Sequence, residues 1–133
     1  LIYFNINSNI YSLVGKNILN RLIRISEKSF FTGSYTGLDD LELYGSFEGF
    51  LVIKNLFLKK TGVFRGHISA ENIIVEGEIS ANIETENLHL RETGIIDGDV
   101  FYRNIIIDLG GILKSQMVQN ISKIDNLIKL TKN

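Results

Sequence analysis

Apolar side chains recur along the middle of the chain in five similar rows of five positions. Successive positions within a row are separated by 2, 3, 2 and then 4 or 6 residues, and the step to the next row is always 4. Gaps of two are typical of β-strands, because alternate side chains of a strand point to the same face. Twenty-three of the twenty-five positions are apolar or aromatic, and the other two are threonine. The rows are Thr36, Leu38, Leu41, Leu43 and Phe47; Leu51, Ile53, Leu56, Leu58 and Phe64; Ile68, Ala70, Ile73, Val75 and Ile79; Ile83, Thr85, Leu88, Leu90 and Ile96; and Val100, Tyr102, Ile105, Ile107 and Leu113.

The repeat predicts a stack of similar turns. The rows differ in length at only one corner. This corner contains Tyr44-Gly45 or Glu76-Gly77 in the short rows and four residues, such as 59–62, in the long rows. A solenoid tolerates insertions at such corners. The residues between the apolar positions are mostly polar, so one face of each strand points inward and the other faces water. We therefore expect an all-β fold, a single parallel β-helix of about five to six turns with short, flexible terminal segments.

Three segments follow from this pattern. We assign residues 1–17 to an N-terminal segment that is either membrane-targeting or disordered, residues 18–117 to the β-helix domain and residues 118–133 to a C-terminal tail. The tail has Ile121, Ile124, Leu127 and Ile128 at helical spacing. A helix of this length is marginal by itself. The sequence leaves open whether the tail caps the last turn or stays mobile.

Composition excludes several classes of protein. The chain of 133 residues has 14 Lys and Arg against 15 Asp and Glu, so it has no overall charge that would attract nucleic acid. It contains no Cys, which excludes disulfides and thiolate metal sites. It also contains no Pro, which a stack of short strands with glycine corners does not need. No Gly-x-x-x-x-Gly-Lys-Ser/Thr loop is present, so nucleotide-driven assembly has no support.

Three stretches resemble the bactofilin family. Residues 66–81, with the sequence GHISAENIIVEGEISA, resemble its core pattern of two Gly-x-Ile-x-Ala elements around a strand with paired apolar residues. Residues 93–103 (TGIIDGDVFYR) are similar to the next corner and turn of the family, and residues 110–115 (GGILKS) to its closing element. Two positions depart from the pattern: Ser115 replaces a glycine, and Leu113 stands where the family often has Phe.

This resemblance implies a right-handed β-helix and a structural role. Bactofilins are bacterial cytoskeletal proteins that polymerise without nucleotide into non-polar filaments by joining the ends of their cores. They are cytoplasmic, often attached to the inner face of the membrane, and serve as scaffolds for cell shape, wall synthesis or appendages. The implied partners are further copies of the chain, the membrane surface and cell-wall or morphogenetic proteins, with no nucleic acid, no cofactor and no enzymatic activity.

The last turn is the candidate polymerisation interface. The end turns of a β-helix expose unpaired backbone groups and the end of the apolar core, and such edges accept further strands unless charge, proline or a cap blocks them. The alternative is that residues 118–133 cover this end. The candidate interface residues are Tyr102, Ile105, Ile107, Ile112, Leu113 and Met117.

The N-terminal segment is a candidate membrane contact. Residues 1–15 carry no charged side chain and are followed by Lys16, Arg21, Arg24 and Lys28. A short apolar stretch before basic residues can dock on an anionic membrane surface. The alternative is that Ile18, Ile23 and Ile25 belong to an irregular first turn and that the preceding residues are disordered. The candidate contact residues are Ile2, Tyr3, Phe4, Ile6 and Ile10.

Other chemistry has weaker support. His67 and His89 should both face outward on separate turns, where exposed histidines are ordinary surface residues. Asp97-Gly98-Asp99 is the nearest approach to a calcium motif, but no further carboxylates follow at the required spacing. A monomeric β-helix that binds wall polymer or proteins is the alternative function. A left-handed β-helix acyltransferase is less well supported, because that class has a strict six-residue repeat.

Overall fold

The computed structural model describes the backbone of residues 6–9 and the chain from 21 to 121. From Ile6 to Asn120 the regular secondary structure of these residues consists of β-strands, which are numbered here along the chain. Their bounds are β1 Ile6–Asn9, β2 Leu22–Ile25, β3 Phe30–Thr36, β4 Asp40–Leu43, β5 Ser46–Leu58, β6 Val63–Val75, β7 Glu78–Leu90, β8 Ile95–Asp97, β9 Val100–Ile107, β10 Ile112–Lys114 and β11 Val118–Asn120.

The strands from β2 to β11 form a parallel solenoid of about six turns, which confirms the predicted fold class. Each turn has three walls. The first wall contains β2, β4 and the ends of β5, β6, β7 and β9; the second contains the starts of β3, β5, β6 and β7 with β8 and β10; the third contains the remaining halves and β11. The third wall runs into the next first wall without a break, so β5, β6 and β7 are strands of 13 residues.

Inward side chains form columns of like residues along the axis. Leu56 lies beside Ile73, which lies beside Leu88 in the next turn, and their exposed fractions are 0%, 1% and 2%. Phe47 stacks between Phe31 and Phe64, with ring centroids 4.2 and 5.0 Å away. Burial of a side chain of this size contributes roughly 1.5–3 kcal/mol, so these columns are the main source of stability.

A column of small residues forms the corner between the second and third walls. Gly49 and Gly66 are neighbours in this column and have φ angles of 141° and 131°, a backbone region that favours glycine. A Cβ atom at Gly66 would lie 1.9 Å from the carbonyl oxygen of Gly49. At these two positions only glycine therefore fits so close to the turn below.

The predicted inward positions of the first row are wrong at Thr36 and Leu38. Both residues are exposed, Leu38 to 82%. Tyr35 instead pairs with Leu51 and packs against the core. The corner between Tyr35 and Leu41 holds one residue more than the corresponding corners, so counting backward from Leu41 gives the wrong face. The predicted inward positions from Leu41 to Val100 are buried in the structure.

Candidate functional site: the C-terminal end of the solenoid

The C-terminal end is formed by the sixth turn, which comprises residues 104–107 of β9, β10 and β11. Each of these segments pairs with the turn below it. Within the described part of the chain, no strand pairs with their opposite edges. In residues 104–107 and in β10, the walls of this turn therefore end in edges that no other described strand occupies and to which a further strand can add.

Three of the candidate interface residues complete inward columns at this end. Leu113 stacks on Ile96, and Ile107 stacks on Leu90. Ile105 stacks on Leu88 and ends the column that contains Leu56 and Ile73. Leu90 is fully buried, whereas Ile107 is 47% exposed. Since the two side chains occupy equivalent positions, the difference arises because Ile107 has no turn above it among the described residues. The open end is thus a cross-section of the apolar core.

The other three candidates lie in different places. Tyr102 is covered by Asn120 of β11, so it lies one turn inside the end. Ile112 alternates with the inward Leu113 and is on the outer surface of the wall, 44% exposed. Met117 lies at the corner before β11 and is 42% exposed. The structure therefore groups Ile105, Ile107 and Leu113 on the end face and places the remaining three around it.

Val118 is an end-face residue that the sequence pattern missed. It stacks on Val100 in the inward column and is 42% exposed, whereas Val100 is fully buried. Leu113 is five residues before Val118, while the equivalent gap in the earlier turns is four. The regular step of four leads to Met117 instead. Pairing residues 118–120 with the strand that starts at Val100 identifies Val118 as the inward residue, whereas counting four residues from Leu113 does not.

Several charged side chains near this end make ion pairs on the outer surface of the walls. Asp108 accepts contacts from His89, at 3.0 Å from Nε2, and from Arg91, at 3.4 Å from Nε. Arg103 lies 2.8 Å from Glu86 of the turn below. These contacts hold charge on the outside of the walls, so the end face between them is apolar.

The N-terminal end has a different structure. β1 pairs with β2 in the antiparallel direction, with Ile6 opposite Ile25. This strand covers the edge that the first wall would otherwise present. Ile23 and Ile25 are buried in the first turn, as one of the two sequence-based alternatives predicts. Ile18 lies outside the described residues.

A polar cluster occupies the first turn where later turns have apolar side chains. The Tyr35 hydroxyl donates a hydrogen bond to Asp39, which is buried, and Arg21 donates to the same carboxylate over 3.3 Å. Burial, together with the adjacent Asp39 carboxylate, raises the pKa of Tyr35 from 10.0 to about 12. The cluster satisfies a carboxylate that would otherwise be costly to bury.

The candidate membrane residues cannot be placed as a group. Ile2, Tyr3, Phe4 and Ile10 lie outside the described residues, and Ile6 is described only by its backbone pairing in β1. The described part of the chain contains no helix with the length and apolar character needed to cross a membrane.

The two histidines lie on different walls. His67 is on the third wall, stacked on Phe50 at 4.7 Å and 3.8 Å from a carboxylate oxygen of Glu84. His89 is on the first wall beside Asp108. Among the described side chains, no group of three or more His, Asp or Glu residues is arranged to hold a metal ion.

A family comparison agrees with this geometry. Residues 23–118, well over half of the chain, match the family model Bactofilin, described as polymer-forming cytoskeletal. The chain belongs to the bactofilin family. No curated protein and no solved structure gives a significant match. The match spans the bactofilin turns from the buried Ile23 to the exposed Val118, so it includes the open end.

The departures of this bactofilin from the usual family pattern lie at that end. Leu113 lies on the end face, so its column ends in an aliphatic side chain that is smaller than Phe. Ser115 follows in the corner, where its hydroxyl donates to the carbonyl of Met117 over 2.7 Å and accepts from the Met117 N–H over 3.2 Å. These hydrogen bonds fix the longer corner that precedes β11.

An asparagine ladder is the second feature of this bactofilin that the sequence analysis missed. On the first wall, each side-chain amide donates to the side-chain oxygen one turn below, with N–O distances of 2.7 to 2.8 Å. The spacing of 15 and 17 residues, always directly before an inward Leu or Ile, is the signal that would have revealed it. The ladder consists of Asp40, Asn55, Asn72, Asn87 and Asn104.

Proposed function

We propose that this chain self-assembles without nucleotide into non-polar filaments through the ends of its solenoid, and that these filaments scaffold cell shape or organise wall or appendage assembly. The polymer-forming character of the family supports self-association. The observation that carries the proposal is the C-terminal end, where the edges of residues 104–107 and of β10 pair with no other described strand and lie beside an apolar face.

The end face is apolar, as expected of an interface between two copies of the chain. Ile107 and Val118 expose 47% and 42% of their surface to water although they continue fully buried columns. Contact with an identical end buries these side chains and pairs their backbone edges at the same time. Two copies related by a two-fold axis present the same surface to each other. Such a contact reverses the chain direction, which makes the resulting filament non-polar.

A filament also needs contact through the other end. There β1 covers the first-wall edge, so an N-terminal joint has to involve the outer edge of β1 or its displacement. The uncovered edge of β3 in the described structure offers a second strand for this contact. The C-terminal joint is therefore the simpler of the two, and it is the one that we expect to form first.

Membrane attachment is a further part of the proposal. The uncharged N-terminal residues precede several basic side chains, of which Lys28 is exposed in the first turn near the N-terminal end. Anionic lipid attracts basic side chains, and apolar side chains insert at the lipid boundary. We propose that Ile2, Tyr3, Phe4, Ile6 and Ile10 contact the inner membrane surface and leave the C-terminal end available for assembly.

Negative-stain electron microscopy of the purified chain at ordinary salt, without nucleotide, tests the assembly. The proposal requires rods of uniform width that are many times longer than a single solenoid. A chain that remains strictly monomeric across the micromolar range contradicts it and favours a monomeric binding module.

A further inference from the structure

The outer surface of the second wall carries two columns of side chains that run along the solenoid axis. Each strand of this wall pairs in parallel with the next, so residues at equivalent positions lie side by side on successive turns. The apolar column, next to the corner with the first wall, consists of Phe30, Ser46, Val63, Glu78, Ile95 and Ile112. The charged column lies two residues further along each strand and consists of Thr32, Glu48, Arg65, Ser80, Asp97 and Lys114.

The charges of the charged column alternate along the axis. From Glu48 to Lys114 they are negative, positive, neutral, negative and positive. Glu48 lies beside Arg65, about 4.8 Å away at the usual strand spacing, and Asp97 is the neighbour of Lys114 in the same way. None of these four side chains makes an ion pair with another described residue, whereas Arg24 on the first wall pairs with its neighbour over 2.8 Å. All four are exposed, so their charges are available to a second molecule.

The apolar column exposes hydrophobic side chains beside these charges. Phe30 and Ile112, at its two ends, are 55% and 44% exposed. Val63 and Ile95 lie between them and are half-buried. Exposed apolar surface bordered by charged side chains is typical of protein–protein contacts. The chemistry of this wall therefore fits a protein partner.

The charged column is complementary to its own reverse. Its central residue is Ser80, with two charged residues on either side. A second copy that faces this wall in the opposite axial direction, about a two-fold axis through Ser80, brings its Lys114 opposite Glu48. It also brings its Asp97 opposite Arg65, and the two-fold axis repeats both contacts. A copy in the same direction instead meets each charge with a like charge or an apolar side chain.

The apolar column agrees with the antiparallel arrangement. In this arrangement Val63 lies opposite Ile95 of the second copy, and Ser46 lies opposite Ile112. Glu78 lies opposite its own counterpart and makes the one unfavourable contact. It begins its strand at the edge of the wall and is exposed, so water can still reach its carboxylate.

We propose that a second copy of this chain docks antiparallel on the second wall, with each charged column facing the reverse of the other. The contact uses a side of the solenoid and not the end face, so it is separate from the proposed filament joint. Salt screens exposed charges, which makes the contact sensitive to ionic strength. Ile112 then belongs to this lateral contact and not to the end face.

Cross-linking of single cysteines tests the contact. The chain has no native cysteine, so each introduced thiol is the only one present. Ser80→Cys places the thiols of the two copies opposite each other on facing sheets about 10 Å apart, a distance that a short bismaleimide spans. Asn82→Cys, at an exposed position of the third wall, is the matched control. At about 0.05 M salt we expect covalent dimers from Ser80→Cys only, and at about 0.5 M salt their rate of formation should fall severalfold. Equal rates for the two variants overturn the proposal.

Charge exchange tests the antiparallel alignment. In the Ser80→Cys chain, Glu48→Lys places like charges at two symmetric contacts and should slow cross-linking roughly 5- to 30-fold. Addition of Lys114→Glu should restore the rate. Within one subunit these two positions are four turns apart, about 19 Å at the usual strand spacing, so the restoration cannot come from a contact inside a subunit. Glu71→Lys makes the same change at an exposed position outside this wall and should leave the rate unchanged. A rate that stays low in the charge-exchanged variant overturns the alignment.

Glu78→Gln should change the rate in the opposite direction. It removes the like charges that face each other at the centre of the contact, so cross-linking should become roughly twofold faster. Circular dichroism of each variant verifies that the fold is retained. A rate that is unchanged or lower in Glu78→Gln contradicts an axis through Ser80.

Electron microscopy of the same samples separates this proposal from the proposed filament. Rods without cross-linking above the Asn82→Cys control overturn the lateral contact and leave the end joint intact. Cross-linked dimers without rods support the lateral contact and contradict the end joint.

Discussion

The side-chain amide of Asn72 donates a hydrogen bond to the side-chain oxygen of Asn55, 2.7 Å away in the turn below. Asn87 donates to Asn72 in the same way. Asn72 is thus both donor and acceptor, and its loss leaves one unsatisfied group on each side. The ladder joins turns through side chains in addition to the backbone pairing.

We expect Asn72→Ala to lower the free energy of unfolding by about 1–2 kcal/mol, because two neighbouring amides each lose a partner. Asn82→Ala is the control, since Asn82 is exposed on the third wall outside the ladder. Urea unfolding followed by circular dichroism measures both. Equal midpoints for the two variants contradict a stabilising ladder.

The inward columns should not accept charge. Ile73→Asp or Leu88→Asp places a carboxylate without a partner in a dry core, which costs several kcal/mol and should prevent folding. Glu71→Lys and Glu86→Lys change outward side chains and should leave the β-sheet signal in circular dichroism nearly unchanged. A similar response of the two classes would show that the inward and outward assignments are wrong.

Leu113→Arg should abolish polymers while preserving the fold. The substitution places a charge on the apolar end face, where a loss of about 3–4 kcal/mol weakens the joint roughly 100- to 1000-fold. Light scattering and electron microscopy should show a small, folded species in place of rods. Ile106→Arg is the control on the same turn, because Ile106 points outward and is 58% exposed. Rods that persist in Leu113→Arg exclude this end as the joint.

Removal of residues 1–5 should reduce binding to anionic vesicles and leave filaments intact. The deletion removes Ile2, Tyr3 and Phe4 but keeps β1, so the N-terminal end of the solenoid is preserved. Co-sedimentation with phosphatidylglycerol vesicles measures the effect, with neutral vesicles as the control. Unchanged sedimentation with anionic vesicles would remove these residues from the membrane contact.

Tyr35 should make stability depend on alkaline pH. Its pKa of about 12 in the folded chain lies above the ordinary 10.0, so the folded state holds the proton more tightly than the unfolded state does. The associated stability is fully present below pH 10 and is lost as the pH rises toward 12. Tyr35→Phe should lower the unfolding midpoint at neutral pH and remove this dependence. Urea unfolding at pH 7 and at several values above pH 10 measures both effects, and identical pH profiles for the two proteins contradict the assignment.

The repeat in the sequence predicts the middle turns well and the terminal turns less well. Positions from Leu41 to Val100 are inward as expected, because equivalent corners there have equivalent lengths. The first and last turns each contain one additional corner residue, which moves the inward position from Thr36 to Tyr35 and from Met117 to Val118. No flanking repeat constrains these corners, so hydrophobic spacing alone could not detect the change.

The candidate site is defined by the side chains and strand edges of the last turn that have no further turn above them among the described residues. The sequence identifies Leu113 as the end of a column, and the structure places it there. It could not show that β1 covers only one end, since this antiparallel pairing involves residues outside the repeat.

The alternating corner lengths also protect the chain against misfolding by slippage. In a stack of similar turns, a strand can add to the wrong neighbour with its apolar face still directed inward. Between the first and second walls, the corner after Leu43 is two residues shorter than the corner after Leu58, and the corner after Val75 is short again. A strand displaced by one turn between these corners therefore meets a connection of the wrong length, whereas the corners after Leu90 and Ile107 have equal lengths. Such displaced pairings should be short-lived during folding, although their hydrophobic pattern is correct.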